Sequence, residues 1–171
     1  MFRLIGAALV IGATGAFGLG SMQRLGARVR VLRGLITAVQ TTQSEICDRL
    51  TPLPALIAQL AAEATPPVDQ FFHRLQGGMA GLGERPFSAI WKQTLEGSPE
   101  LHLGEGAYAL FADLGKTLGR YDIEDQRHVL RYTARRLEGY LEQAEEQRRE
   151  RGKVHAVLGV AAGVFVVLIL L

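Results

Sequence analysis

Few residues in this chain have the type and spacing that chemistry needs. Histidines stand at 73, 102, 128 and 155, with no HExxH and no paired metal spacing. His128 lies among Gln126, Arg127 and Arg131, which reads as the solvated face of a charged helix. His155 lies at the edge of an apolar stretch, where an imidazole can sit among headgroups. Cys47 is the only cysteine, which excludes an intrachain disulfide and a CxxC site, and it reads as a partly buried small residue. Gly12-x-x-Gly15-x-x-Gly18 matches a nucleotide loop in glycine count alone, because no Lys-Ser/Thr comes after it and the run is apolar. Glu142, Glu145 and Glu146 interleave with Arg148 and Arg149 at helix-neighbour spacing, the pattern of surface ion pairs rather than of acid–base catalysis. The residues therefore predict no enzyme, no metal and no cofactor.

The elements that hold these residues are set by where the charge sits. Lys and Arg number 19 and Asp and Glu 17, so bulk charge does not point to nucleic acid. No charged residue occurs from Leu4 to Gly20 or from Ala156 to Leu171. The first apolar run is about 26 Å long as a helix, close to a bilayer core of about 30 Å. The predicted organisation is a transmembrane helix over 1–22, a helical domain over 23–153 and a second transmembrane helix over 154–171.

A cleaved signal peptide competes for the first segment, with Met1-Phe2-Arg3 as its basic start and Ala16-Phe17-Gly18 as a small-x-small site. Arg24, Arg28, Arg30 and Arg33 come next with no acid before Glu45, a flank that resists translocation and favours a retained anchor. Arg148, Arg149, Arg151 and Lys153 precede the second segment. Both flanks predict a cytoplasmic middle domain with the two termini across the membrane. Ala8, Gly12, Ala16 and Gly20 share one helical face, and Gly159 and Gly163 form a GxxxG pair. Such faces let helices pack closely in lipid, within one chain or in a homo-oligomer.

In the middle domain, Leu25, Val29, Leu32, Ile36, Val39, Ile46 and Leu50 step by fours and threes, with Gln43 in the missing place. This heptad spacing predicts one long helix. Ile123, Gln126, Leu130, Thr133, Leu137, Tyr140 or Leu141, and Ala144 repeat it near the other end. Antiparallel pairing of the two would bury both seams. Between them, Thr51-Pro52, Thr65-Pro66-Pro67, Pro86 and Ser98-Pro99 read as helix starts, with Thr51 and Ser98 as caps. The short helices carry Leu53, Leu56, Ile57 and Leu60; Val68, Phe71, Phe72 and Leu75; Phe87, Ile90 and Trp91; and Tyr108, Leu110, Phe111 and Leu114. Asp122 caps the last long helix, with Glu124 and Asp125 in its first turn. The predicted fold is all-α, about six helices.

Several segments in order resemble the stage III sporulation protein AB family of endospore-forming bacteria. They are Leu4-Ile5-Gly6-Ala7, Glu45-Ile46 before Thr51-Pro52-Leu53-Pro54, and Phe71-Phe72. Leu114-Gly115, Leu118-Gly119, Asp122 and Gln126 come after them, then Lys153 to Leu158-Gly159 with Gly163 and the aliphatic tail. Tyr121 stands where the family shows a serine, and Asp48 where an aromatic is expected. The resemblance implies a component of the secretion-like channel between mother cell and forespore during engulfment. It also implies a soluble domain similar to the cytoplasmic domains of type II secretion F and type IV pilus platform proteins. The implied partners are the stage III sporulation protein AA-type ATPase, other channel subunits and the membrane. Leu118, Gly119, Asp122 and Gln126 are then candidate docking residues; as structure alone they are a helix stop, a cap and a seam position. The rival reading is a two-span sensor or adaptor protein with a helical bundle, although no output domain comes after the second apolar segment.

Overall fold

The computed structural model describes residues 25–118 and 122–170, with 151–170 as backbone alone. The fold is all-helical, and no strand occurs among the described residues. Helix α1 covers 25–43 and ends in a π-helical turn, Ser44–Asp48. After it come α2 (Leu53–Glu63), α3 (Val68–Gly78), α4 (Phe87–Glu96), α5 (Glu105–Thr117) and α6 (Ile123–Leu170). The chain divides into two compact units, of which Arg28–Glu142 is the helical bundle. Among the described residues no helix is long and apolar enough to cross a membrane. The expected span 1–22, with Ala8, Gly12, Ala16 and Gly20, lies outside them. Of 154–171, which holds Gly159 and Gly163, only backbone is described, helical to Leu170.

Helix α1 is buried on more than its heptad seam. Val29, Leu32, Ile36 and Val39 are inside, as their spacing predicts, and so are Val31, Gly34, Leu35, Ala38 and Thr42. Arg30, Arg33, Thr37 and Gln40 form the narrow exposed stripe that remains. Gly34 lets α3 approach: a Cβ there would stand 2.9 Å from Val68 Cγ2 and 3.2 Å from Thr65 Oγ1. At the start of α5, a Cβ on Gly104 would meet Arg28 Nη2 at 2.7 Å, and one on Gly106 would overlap the Tyr140 hydroxyl. At the far end, Cys47 Sγ lies 3.8 Å from the Ile123 carbonyl. Residues 28 and 140 thus share one end of the bundle and 47 and 123 the other, so α1 and α6 run antiparallel.

The heptad reading fails at the end of α1. The π-turn adds a residue to the helical repeat and rotates the residues after it by about 100°. Glu45 and Cys47 therefore turn inward, Ile46 is half-buried, and Leu50 is 65% exposed with φ 57°. The expected caps at Thr51 and Ser98 are also corrected. Neither makes a side-chain capping bond, and α2 begins after Pro52. Thr51 Oγ1 donates to Glu45 Oε2 (2.7 Å), and buried Ser98 Oγ accepts from Arg74 Nη2 (2.9 Å) and donates to the Thr94 carbonyl (2.7 Å). Glu45, six residues back, has taken the Thr51 hydroxyl, and the Thr94 carbonyl one turn back together with Arg74 has taken that of Ser98.

Helices α3, α4 and α5 share an aromatic core. Phe71 packs edge-on against Phe72 and Trp91, both with centroids 5.1 Å away, and Trp91 lies 4.8 Å from Phe111. Each such pair adds about 0.5–1.5 kcal/mol beyond area burial. Trp91 Nε1 donates to the Phe111 carbonyl at 2.9 Å, which brings the indole onto the α5 backbone beside Gly115.

Candidate docking corner

The candidate residues gather where α1 and α5 end and α6 begins. Leu118 closes α5, its N–H bonded to the Leu114 carbonyl (3.1 Å), and its side chain is buried. Gly119 lies outside the described residues. Asp122 is exposed, and its carbonyl accepts the Gln126 N–H at 3.0 Å, the backbone role of an N-cap residue. Gln126 is buried, in the seam. Of the described three, Asp122 alone is exposed; Leu118 and Gln126 are buried.

A polar network that sequence reasoning missed pins this corner. Arg127 donates to Asp48 Oδ1 (2.9 Å) and to the Cys47 carbonyl (3.1 Å), and its Nε lies 3.6 Å from Glu124 Oε1. The Asp48 hydrogen bond, opposed by partial desolvation, raises the Arg127 pKa. The buried Glu45 carboxylate accepts from Arg49 Nη1 (2.8 Å) as well as from Thr51. The Glu45 carbonyl takes the Thr51 N–H (2.8 Å) and that of Ser44 takes Arg49 N–H (3.1 Å), so with the Cys47 carbonyl three of the π-turn's acceptors are satisfied. These bonds flank Leu50, which is exposed and left-handed.

The corner does not read as a reaction centre. Burial pushes the Cys47 thiol up, with Arg127 pulling the other way, so the thiol stays protonated and weakly nucleophilic near neutral pH. His73, His102 and His128 are exposed, as the solvated-face reading of His128 expects; His155 falls where backbone alone is described. Among the described residues no three His, Cys, Asp or Glu side chains gather to hold a metal. A shallow groove lined by Leu95, Ser98, Leu101, His102 and Tyr108 has a volume of ≈ 160 Å³. That is below the roughly 300 Å³ at which small-molecule sites begin.

The sequence model of the stage III sporulation protein AB family matches residues 3–171. The chain belongs to this family. Stage III sporulation protein AB of Bacillus subtilis (strain 168) is 28% identical over 173 residues, covering 100% of both chains. A solved stage III sporulation protein AB structure matches with TM-score 0.67 at 26% identity, covering 72% of this chain and 98% of that one. These relatives are named for sporulation and not for a reaction. Within the family frame, Asp48 gains an explanation: in place of the expected aromatic contact it supplies an ion pair to Arg127 across the α1–α6 junction. Tyr121, the other departure, lies outside the described residues.

Proposed function

We propose that the chain is a membrane-anchored platform of the sporulation channel between mother cell and forespore. In this reading 1–22 and 154–171 span the mother-cell membrane facing the forespore, 23–153 is cytoplasmic, and both termini lie outside. The domain docks a stage III sporulation protein AA-type ATPase and joins other channel subunits, in which homo-oligomers can take part. The ATPase supplies the hydrolysis; this chain anchors or transmits.

Family membership supports the sporulation role, and one structural observation supports docking. At the α1–α6 corner, exposed Asp122 stands next to Ile123, which is joined to the Cys47 end of α1, while Leu50 is exposed in a left-handed conformation. Covering the exposed Leu50 side chain with a protein surface would bury its apolar area and favour contact there. The test is a pull-down of the ATPase by the full-length chain, with Asp122→Ala and Gln126→Ala variants checked for helicity. Loss of capture by folded Asp122→Ala supports docking at the corner. Capture that persists in a folded double variant removes the corner from the docking surface. Gln126→Ala that loses helicity along with capture assigns that residue a structural role.

A further inference from the structure

Five basic side chains of the bundle have an acidic partner. Arg49 pairs with Glu45, Arg74 with Glu100, Lys92 with Glu96, Lys116 with Asp113 and Arg127 with Asp48. A window of α6 gathers three basic side chains without one. From His128 to Leu137 the sequence holds Arg131, Arg135 and Arg136 and no acid. All three arginines are exposed, with His128 and Tyr132 beside them. Among the described residues none of the three arginines makes an ion pair, and Glu138, three residues beyond Arg135, does not close on it. Arg131 and Arg135 are like charges at i, i+4, an arrangement that weakens a helix.

The window is also pre-shaped. The Arg136 guanidinium sits over the Tyr140 ring, 5.6 Å from its centroid, and the Tyr140 hydroxyl is backed by Gly106, where a Cβ would overlap it. Tyr132, 54% exposed, lies one turn before Arg136. Guanidinium forks next to an accessible aromatic ring are the residue types that bind carboxylates bidentately and anchor protein interfaces.

We propose that this face of α6 binds a short acidic segment of a partner protein, carboxylates meeting Arg131 and Arg135 and an apolar side chain resting on Tyr132. The charge layout selects the occupant. Glu124 and Asp125 precede the window, and Glu138 and Glu142 lie beyond it, leaving an acid-free stretch of about 18 Å along the helix. A nucleic-acid backbone or an anionic lipid surface would meet those carboxylates on either side. A brief run of Asp and Glu fits between them. The inference does not depend on the ATPase docking at the corner.

The test places the photocrosslinking residue p-benzoylphenylalanine at Tyr132 in the full-length chain in sporulating cells and maps the adduct by mass spectrometry. The same crosslink is repeated in Arg131→Glu/Arg135→Glu and in the milder Arg131→Gln/Arg135→Gln background. Helicity and Trp91 emission report folding. The expected result is an adduct on a protein segment rich in Asp and Glu, with yield reduced about tenfold or more in both folded variants. Adducts only to lipid or nucleic acid, adducts to neutral or basic segments, no adduct, or an unchanged yield would each overturn the proposal.

Discussion

Replacing Gly115 by alanine puts a methyl group where α5 meets Trp91. The new Cβ would stand 2.8 Å from Trp91 Cβ and closer still to the indole ring, and the ring is held by the bond from Nε1 to the Phe111 carbonyl. The indole cannot retreat without leaving that carbonyl and pressing on Phe71 and Phe111, 5.1 and 4.8 Å away between centroids. Overpacking costs about 1–3 kcal/mol. A buried N–H that loses its acceptor adds about 1–3 kcal/mol. Alanine's helix preference returns about 1 kcal/mol. The net expectation is a loss of about 1–5 kcal/mol, a large share of a typical stability of about 5–15 kcal/mol. Urea unfolding of the full-length chain in mild detergent, monitored at 222 nm and by the fluorescence of Trp91, the only tryptophan, measures it. The variant should unfold at lower urea with a red-shifted native spectrum. Stability within about 0.5 kcal/mol of the parent would refute the reasoning, because surface-like tolerance of that size belongs to sites without such contacts.

Gly139 gives the opposite expectation. A Cβ there meets nothing within 4 Å, so Gly139→Ala should stabilise the chain by about 0.5–1 kcal/mol in the same assay. Cys47 should react with iodoacetamide far more slowly in the folded chain than in urea at pH 8, because burial raises its pKa and depletes the thiolate. The same shift gives a stability contribution that is complete below the ordinary thiol value of 9.0 and is lost as pH rises through the folded pKa. Unfolding midpoints at pH 7 to 10, compared with Cys47→Ala, report this dependence. For topology, a reporter fused after Leu171 should read as non-cytoplasmic; a cytoplasmic reading would reverse the proposed orientation.

Apolar spacing makes much of the fold legible. Val29, Leu32, Ile36 and Val39, and Leu130, Thr133 and Leu137, are buried at the expected intervals, and Phe71, Phe72, Trp91 and Phe111 meet in one core. The second buried stripe of α1, Val31, Leu35 and Ala38, escapes the heptad pattern because a single seam suffices for a helix pair but not for a helix packed on several sides. The π-turn has no local signature, so spacing puts Leu50 inside and leaves Glu45 out. Thr51 and Ser98 show why caps are hard to read, since Glu45 in the preceding turn and the more distant Arg74 compete for them. The Asp48–Arg127 tie joins residues 79 apart, beyond the reach of pattern reasoning. At the site, Asp122 is the surface residue at a helix start that the sequence suggests, and Gln126 is buried in the seam where its heptad spacing puts it, whereas the burial of Leu118 depends on neighbours that no local spacing reveals.

The docking account is tested most directly by hydrogen–deuterium exchange of the full-length chain in nanodiscs, with and without the stage III sporulation protein AA-type ATPase. It predicts that the ATPase slows exchange at the Cys47–Thr51 and Leu118–Gln126 segments. Unchanged exchange at both segments under saturating ATPase, or protection confined to other helices, would contradict it.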